Sequence, residues 1–301
     1  MPERASPLER AAPWPVDAGA RGRRLGELVT VVIVAYRSET VIPGALSSVP
    51  PGVRVIVVDN ASPDLSSEKA SATGATVIAN ERNVGFGAGC NLGVTSVRTR
   101  YTLFLNPDAR LSPGSLERLV AHLAANPSVA AVAPLLSRGG QVQLPRRDSV
   151  LALDRPHSFN EIPKETHDVG FLSGAALLVR TDQFRAIGGF DERIFLYLED
   201  DDLCMRLRHA GYRLHLMPNV VVAHEKKALS ACSPQELREQ SRHTLLSTRY
   251  LARKYNIDVD FREKRVKAIR RLLIAMVLFD YWRFHANIGR LQGLGIFPTR
   301  R

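Results

Sequence analysis

The chain has 301 residues, 45% of them hydrophobic and 24% charged, which is typical of a globular protein with one large core, or one core and an appendage. Its net charge is +11, of which residues 261–301 contribute +8 through ten Lys or Arg and two Asp or Glu. This basic end lies apart from the acidic strand ends described below, which argues against a nucleic-acid partner.

The three cysteines are far apart and form no Cys-x-x-Cys pair. This argues against a disulfide framework or a zinc cluster and favours a reducing, cytoplasmic location. Residues 1–27 are rich in Pro, Ala, Gly and Arg without periodicity, so we expect a mobile N-terminal tail. The tail also lacks the apolar run of a secretory signal.

Four continuous apolar runs of strand length follow the tail from Leu28 onward. Continuous runs indicate strands that are buried on both faces, as in a parallel sheet. Helical stretches lie between them, so the sequence predicts an open α/β sheet. The four runs are LVTVVIVAY, RVIVVD, ATVIA and YTLFLN.

The remaining elements are predicted from the same patterns. One helix is expected to begin with Ser112 as its N-cap and Pro113 in its first turn. Residues 146–168 form a long polar loop, and such loops are usually functional or disordered. The expected helices lie at about 39–48, 87–98, 112–125, 200–210, 234–255 and 263–287, and further strands lie in GGQVQLP, GFLSGAALLVR and YRLHLMPNVVVAH.

Acidic side chains follow three of the predicted strands at the point where each strand ends. Asp59 closes VIVVD, Asp108 lies in FLNPDA, and residues 199–202 (Glu-Asp-Asp-Asp) follow FLYL. A rigid strand aims a carboxylate just beyond its end at a fixed point in the crevice there. The pattern predicts a site that binds a nucleotide, holds a metal ion and moves a proton.

Each of these residues also has a structural alternative. Asp59 can accept hydrogen bonds from a base or a ribose hydroxyl, or it can stabilise a turn. Asp108 can give a hard divalent ion one oxygen ligand, with a diphosphate and a second protein ligand completing the site, or it can be a plain turn residue. His224, at the end of VVVAH, can be a metal ligand, a phosphate donor or a structural histidine.

The four carboxylates of residues 199–202 are predicted to open a helix. Their mutual repulsion raises at least one pKa, and the helix dipole offsets part of it. One carboxylate can then point into the cleft while another fixes the helix. The alternative is a merely acidic helix start.

The segment NERNVGFGAG, residues 80–89, is a glycine-rich loop before a helix. Its glycines allow backbone amides to approach a ligand closely, although a plain strand–helix turn would look alike. It does not match the dinucleotide fingerprint, because Cys90 occupies the sixth position, where Gly or Ala is required.

Residues 264–290 combine basic residues with the apolar run LLIAMVLF and the aromatic residues Tyr281 and Trp282. Eight apolar residues are too few to cross a bilayer. A basic helix with aromatic anchors can lie on an anionic membrane, and it can equally pack on the catalytic domain.

Taken together, these motifs resemble glycosyltransferase family 2, and within it the bacterial rhamnosyltransferase-like branch. The resemblance covers about residues 29–224. The segments that carry it are VTVVIVAYRSE, VIVVDNAS, NVGFGAGCNLG, FLNPDA, GFLSGAALLVR, GGFDERIFLYLEDDDLCMRLRHAGY and VVAH.

The resemblance implies a GT-A fold, a Rossmann-like open mixed sheet with flanking helices, over residues 28–230. Residues 231–301 would form a basic, amphipathic helical extension. The implied reaction is an inverting transfer from a nucleoside-diphosphate sugar to a glycan or polyprenyl-linked glycan in cell-wall or surface polysaccharide synthesis. The favoured donor is dTDP-rhamnose, ahead of UDP-galactofuranose and other UDP-sugars. The basic, apolar end of the chain, and not the resemblance, predicts a position at the inner face of the cell membrane.

The resemblance also assigns roles residue by residue. Asp200 matches the catalytic base, supported by Glu199, Asp201 and Asp202. Asp108 and His224 would hold Mg²⁺ or Mn²⁺, and Asn106 replaces the first carboxylate of the family's Asp-x-Asp motif. The residues expected at the nucleotide are Ala35, Tyr36, Asp59, Arg82, Asn83 and Asn106.

Two other classes of protein compete with this interpretation. A nucleotide-dependent oxidoreductase would suit the open sheet, but the missing fingerprint counts against it. A noncatalytic nucleic-acid-binding protein would suit the net charge, but it would interleave basic and aromatic residues on one surface.

Overall fold

The structure is a computed structural model that describes residues 24–145, 151, 159–225 and 233–296. Within these residues, ten strands pair into one mixed sheet with helices on its faces. The strands are β1 (Val29–Ala35), β2 (Arg54–Asp59), β3 (Thr76–Ala79), β4 (Tyr101–Leu105), β5 (Ala109–Leu111), β6 (Val129–Arg138), β7 (Gln141–Val142), β8 (His167–Asp168), β9 (Ala176–Arg180) and β10 (Arg213–His224).

The helices in the described part of the chain divide into two groups, one beside the sheet and one at the C-terminal end. The first group is α1 (Ile42–Ser47), α2 (Ser66–Ser71), α3 (Phe86–Thr95), α4 (Ser115–Ala125), α5 (Thr181–Ala186) and α6 (Glu199–His209). The second group is α7 (Pro234–Lys254), α8 (Phe261–Val277) and α9 (Tyr281–Gly293).

The strand order is β3-β2-β1-β4-β9-β6-β10-β5, with β7 beside β6 and β8 beside β10. Strands β3, β2, β1 and β4 are parallel, β9 is antiparallel to both β4 and β6, and β10 is parallel to β6. The predicted open mixed α/β sheet is confirmed. The chain leaves β1 toward β2 on one side and returns to β4 on the other, which makes the β1–β4 boundary the expected position of a ligand crevice.

Strand β1 is buried at all seven positions, as its continuous apolar sequence predicts. Because successive side chains of a strand point to opposite faces, Val31 and Ile33 enter one core cluster while Val32 and Val34 enter the other. Full burial of a side chain of this size contributes roughly 1.5–3 kcal/mol. The sheet is therefore fixed from both sides, and the ends of its strands are fixed with it.

Several predicted boundaries differ from the structure. The cap of α4 is Gly114 in a left-handed conformation, and the Ser112 hydroxyl donates to the Val221 carbonyl instead. The run GFLSGAALLVR is a strand only from Ala176 onward, and its first part is a loop beside the candidate site. Sequence patterns alone also missed β6, α2 and α5.

The predicted helix 263–287 is wrong as a single element, because it is broken between α8 and α9. Phe279 has a φ of +49°, and the Asp280 side chain accepts a hydrogen bond from the Arg283 amide, which starts a new helix. The apolar run LLIAMVLF continues up to this break, and nothing within the run predicts where the helix ends. Among the described residues, no helix has the length and apolar character needed to cross a bilayer.

Parts of the predicted termini and loops lie outside the described residues, including residues 1–23, most of 146–158, and Cys232. The last residues of the predicted mobile tail are ordered, since residues 24–28 are helical and Leu25 is fully buried in the core. The division of the chain at residue 230 stays a prediction.

Candidate active site

The candidate site lies at one edge of the sheet, where β1, β2, β4 and β10 end and β5 and β9 begin. Register places Ala35 opposite Asp59, Leu105 opposite Ala176, and Ala109 opposite His224. The backbone amide of Asn106 donates to the carbonyl of Ala175 at 2.9 Å, which joins the end of β4 to the start of β9. The sheet therefore brings the predicted residues after β2, β4 and β10 to the same edge.

Asp59 is almost fully buried at the end of β2. Its Oδ2 accepts a hydrogen bond from the Ser62 amide at 3.3 Å, whereas its buried Oδ1 has no partner among the described residues. A buried polar atom left unpaired costs roughly 1–3 kcal/mol. Oδ1 is therefore ready to accept a donor from a ligand beside Ala35, which is buried, and Tyr36, which is exposed.

Asn60 connects the ends of β2 and β3 with the start of α3. Its Nδ2 donates to the Gly85 carbonyl at 3.0 Å, and its Oδ1 accepts from Asn80 Nδ2 at 2.8 Å. Sequence reasoning missed this positioning role, although a polar residue directly after a buried strand end was the available signal. Asn83 is also used locally, since its Oδ1 accepts from the Gly85 amide, while Arg82 is exposed.

The glycines of the loop allow protein segments, rather than a ligand, to approach closely. Gly85 has a φ of +93°, and a Cβ there would lie 2.3 Å from the Phe195 carbonyl oxygen. A Cβ on Gly93 would lie 2.5 Å from Val32 Cγ1, so α3 could not pack on β1. The structure therefore favours the alternative of a tightly packed strand–helix turn, and a dinucleotide site gains no support from it.

Asn106, Asp108 and His224 come together at the ends of β4 and β10. His224 Nε2 lies 3.2 Å from Asp108 Oδ1 and 3.3 Å from Asn106 Nδ2. The Glu225 amide donates to the Asp108 carbonyl at 3.1 Å, which fixes the turn beside β10. One carboxylate and one imidazole suit a divalent ion whose other ligands come from a diphosphate and water.

The described residues contain no group of three or more His, Cys, Asp or Glu that could hold a metal ion by itself. The chain thus offers an incomplete ligand set at this position. Any ion held by Asp108 and His224 needs further ligands, from a diphosphate and from water, to complete its coordination.

The four acidic residues at the start of α6 have different environments. Glu199, Asp201 and Asp202 are buried, whereas Asp200 is half-buried. Asp200 Oδ2 accepts from the Gly174 amide at 3.0 Å, and Oδ1 accepts from the Asp201 amide at 3.0 Å. Among the four, Asp200 is the one carboxylate residue that is partly exposed.

The entry into α6 is held in an uncommon conformation. Tyr197 and Leu198 both have positive φ values, 65° and 68°, and each such residue costs on the order of 1–3 kcal/mol. Surrounding contacts hold them in place: the Ser247 hydroxyl donates to the Leu196 carbonyl, and the Phe195 ring stacks on His243 at 4.4 Å. The helix α7 therefore helps to aim the start of α6.

Asp202 anchors α7 to α6 and does not face the cleft. Its fully buried carboxylate accepts from Lys254 Nζ at 2.5 Å, from the Tyr255 hydroxyl at 2.7 Å and from Arg206 Nε at 2.7 Å. Lys254 also donates to Asp191 at 2.7 Å. Asp202 therefore joins the two helices, and its supporting role in the reaction stays a prediction.

Comparison with family models decides the family. Residues 30–188, more than half of the chain, match the model for glycosyl transferase family 2. The chain belongs to glycosyl transferase family 2. Residues 157–227 of this family 2 chain also match a model described as the N-terminal domain of galactosyltransferase.

Curated relatives place the family 2 chain beside rhamnosyltransferases. It is 33% identical to the Pre-mycofactocin glycosyltransferase of Mycobacterium tuberculosis over 66% of this chain and 43% of that protein. It is 29% identical to the N-acetylglucosaminyl-diphospho-decaprenol L-rhamnosyltransferase of the same species, over 58% of this chain and 67% of that protein. Rhamnosyltransferase WbbL of Escherichia coli is 32% identical over 44% of this chain and 58% of that protein. The resemblance to the rhamnosyltransferase-like branch is confirmed, and the matches span about half the length of these relatives.

Solved structures confirm the GT-A fold. A mannosyltransferase from Pyrobaculum calidifontis, in complex with GDP-Man and Mn²⁺, has a TM-score of 0.56 at 18% identity and covers 78% of this chain and 66% of its own. GalNAc-T7 with UDP, GalNAc and Mn²⁺ also has a TM-score of 0.56, at 14% identity, and the match covers 73% of this chain and 48% of GalNAc-T7. TarS of S. aureus with UDP-GlcNAc has a TM-score of 0.52, at 14% identity, and the match covers 90% of this chain and 93% of the TarS chain.

Burial, together with the charge of Asp200, raises the pKa of the Glu199 carboxyl in this family 2 chain to about 8. The expectation that one of the four clustered carboxyls has a raised pKa is confirmed. A neutral Glu199 adds no second negative charge beside Asp200, so the two carboxyl groups can have different protonation states in one site.

The free energy of unfolding should therefore fall as the pH rises from the ordinary pKa of 4.5 toward about 8. The folded state keeps the Glu199 proton in this window while the unfolded state releases it, so the slope is negative, at most about 1.4 kcal/mol per pH unit. Glu199→Gln should remove this slope, and urea unfolding at pH 5, 6.5 and 8 measures it. An unchanged slope in the variant would contradict a protonated Glu199, and Glu263→Gln, which alters an exposed carboxylate, is the control.

Asp202→Asn should destabilise the protein by roughly 1–3 kcal/mol, because the fully buried position loses the charge that pairs with Lys254 and Arg206, while Lys254 keeps its pair with Asp191. The matched control is again Glu263→Gln, which breaks an exposed pair with Lys267 and should cost less than about 1 kcal/mol. Urea denaturation of both variants measures the difference. Equal, small losses would show that the joint between α6 and α7 does not depend on Asp202.

Proposed function

We propose that this protein is an inverting glycosyltransferase that moves a sugar, with rhamnose favoured, from a nucleoside diphosphate to an acceptor hydroxyl. The observation that carries the proposal is the placement of Asp200 as the accessible carboxylate at the start of α6, held by the Gly174 amide. Membership of glycosyl transferase family 2 and the unpaired Oδ1 of Asp59 support it.

In the proposed reaction, Asp200 takes the proton of the acceptor hydroxyl as its oxygen attacks the anomeric carbon of the donor. The new carbon–oxygen bond forms while the bond to the diphosphate oxygen breaks, and its electron pair leaves with the diphosphate. Attack from the opposite face inverts the anomeric centre, and no covalent protein nucleophile is needed. Asp59 would bind the base or ribose through Oδ1, together with Ala35, Tyr36 and the other predicted nucleotide residues.

Asp108 and His224 would hold Mg²⁺ or Mn²⁺, and the Asn106 amide lies against the same imidazole. When bound, the ion would neutralise the charge that develops on the diphosphate leaving group. Mn²⁺ in two of the similar solved structures supports this cofactor. The chain's own contribution is to fix the carboxylate and the imidazole side by side at the sheet edge.

For the donor we propose dTDP-rhamnose, since two of the relatives carry rhamnosyltransferase in their names. A UDP-sugar such as UDP-galactofuranose is the alternative. The name of the decaprenol-dependent relative supports a polyprenyl-linked glycan as the acceptor, in cell-wall or surface polysaccharide synthesis.

A panel of nucleotide sugars tests this proposal. Purified protein should hydrolyse or transfer from dTDP-rhamnose fastest, more so with Mn²⁺ than with EDTA, and Asp200→Asn should abolish the signal. Faster turnover of a UDP-sugar would overturn the rhamnose assignment. No turnover of any donor, with a range of glycan acceptors present, would count against the transferase itself.

We further propose that the protein lies at the inner face of the cell membrane through the turn between α8 and α9. Val277, Leu278 and Phe279 are exposed there by 76%, 64% and 92%. Residues 261–301 carry +8, and each basic residue near an anionic leaflet contributes about 1 kcal/mol. An apolar turn between helices that carry basic residues suits insertion among anionic lipids.

Replacing Val277, Leu278 and Phe279 together by serine should greatly reduce sedimentation with anionic liposomes at low salt. The substitutions remove exposed apolar side chains and leave the charge unchanged, so they separate insertion from attraction. Arg118→Gln on α4 is the control, and neutral liposomes should bind the wild type weakly. Full sedimentation of the serine variant would contradict an inserted tip.

A further inference from the structure

A cleft of about 580 Å³ lies among the C-terminal helices, where α7 ends, α8 begins and α9 ends. Its volume falls in the range of small-molecule sites. No motif of the transfer reaction contributes to it. The lining residues are four arginines, one carboxylate, one amide and five apolar residues: Arg249, Arg253, Arg262, Arg265, Asp258, Asn256, Ala252, Ile257, Val259, Phe261 and Leu294.

Three of the four arginines have no side-chain partner in the described part of the chain. The Arg249 guanidinium donates to the Gly293 carbonyl at 3.3 Å. The side chains of Arg253, Arg262 and Arg265 are exposed and make no hydrogen bond or ion pair with the described residues. Asp258 is the one carboxylate in the lining. The walls therefore carry an uncompensated positive charge.

Two other basic side chains of the same helices are paired with carboxylates. On α8, Lys267 Nζ lies 2.5 Å from Glu263 Oε1, and on α7, Arg242 lies 2.7 Å from Glu239. The cleft arginines differ from these paired side chains. Like charges gathered at one place repel each other, and an anion among them removes that repulsion.

The chemistry of the lining specifies the anion. Guanidinium groups bind phosphate through paired N–H donors, and several of them suit a phosphate better than a carboxylate. Apolar side chains lie in the same cleft, including Ile257, Val259 and Leu294. A ligand that satisfies both kinds of wall has a phosphate group and an apolar part.

We propose that this cleft binds a phosphate-bearing amphiphile. Its phosphate lies among Arg253, Arg262 and Arg265, and its apolar part lies against Ile257, Val259 and Leu294. The site is separate from the strand-end residues and does not depend on the proposed transfer reaction.

Isothermal titration of the full-length protein in EDTA tests the site, because EDTA removes any metal-dependent diphosphate binding near Asp108. The probes are monomeric dihexanoyl phosphatidic acid, inorganic pyrophosphate and dihexanoyl phosphatidylcholine. Phosphatidic acid should bind more tightly than either of the others. Equal binding of pyrophosphate would overturn the amphiphile, and no binding of any probe would overturn the site.

Two triple variants separate a built site from simple charge attraction. Replacing Arg253, Arg262 and Arg265 by glutamine should weaken binding of phosphatidic acid by about tenfold or more. Replacing three basic residues of α8 outside the lining, Lys264, Lys267 and Arg270, removes the same charge and should change binding little. Equal weakening by both triples would overturn the proposal.

Both triples should keep the wild-type melting temperature and the wild-type rate of donor hydrolysis, since none of the six residues is placed in the transfer site. If the protein hydrolyses a nucleotide sugar but does not bind phosphatidic acid, only the proposal for the cleft is refuted. A chain that binds phosphatidic acid in the cleft but turns over no donor would refute the transferase alone.

Discussion

Asp200→Asn should lower sugar transfer by roughly 10²–10⁴-fold while donor affinity changes little. Asparagine keeps the shape of the side chain, and its oxygen can still accept the Gly174 amide, which lies 3.0 Å from Asp200 Oδ2. The loop before β9 should therefore stay in place. What is lost is the proton acceptor for the attacking hydroxyl, together with the hydrogen bond that Asp200 Oδ1 accepts from the Asp201 amide at 3.0 Å.

Donor binding by calorimetry and single-turnover transfer, measured on the same variant, separate these two roles. Asp201→Asn is the informative comparison, because Asp201 adjoins Asp200 but is buried. If Asp201→Asn is the severe variant and it melts like the wild type, the assignment of the base to Asp200 is wrong. A loss of donor binding in Asp200→Asn would instead make it a binding residue.

The strand-end geometry was predictable from sequence because its causes are local. Strands β1, β2 and β4 are short apolar runs whose burial follows directly from their composition. Each run is followed by a polar residue, and parallel strands bring such residues to one edge. The meeting of Asp108 with His224 needed one more fact, the antiparallel pairing of β5 with β10.

Other parts of the site depend on contacts between distant segments, which no local pattern records. Asp202 and Asp200 are two positions apart in one acidic run, yet Asp202 is paired with Lys254, fifty-two residues later. Gly85 looked like a ligand-binding glycine, but its neighbour is the Phe195 carbonyl. The break at Phe279 interrupts an apolar run that propensity alone would continue as a helix.

The C-terminal helices α7 and α8 differ in how they contact the rest of the protein. The sequence left open whether they bind a membrane or pack on the core. In the structure α7 does pack on the core, through Lys254 and through Leu251 in a cluster with Ile194. Helix α8 is different, because Leu273 and Met276 are more than half exposed. Packing on the core is therefore observed for α7, and membrane binding stays a proposal for α8.

Asp108→Ala should nearly abolish metal-dependent transfer while leaving stability almost unchanged. Among the described residues, the one ion pair of Asp108 is with His224, at 3.2 Å, and the Asp108 side chain is 23% exposed. Removing such a partly exposed carboxylate should cost less than about 1 kcal/mol of folding stability. Removing the one carboxylate ligand of the ion should remove most of the transfer rate.

Three measurements on Asp108→Ala test this together: the melting curve, transfer across a Mn²⁺ titration, and Mn²⁺ binding by calorimetry with a nucleoside diphosphate present. Asp258→Ala is the matched control, an exposed aspartate outside the strand-end site. We expect Asp108→Ala to weaken Mn²⁺ binding and to keep the wild-type melting curve. Wild-type activity in this variant would remove Asp108 from the site. Lost activity with unchanged Mn²⁺ binding would assign the ion to other groups and leave Asp108 to position His224.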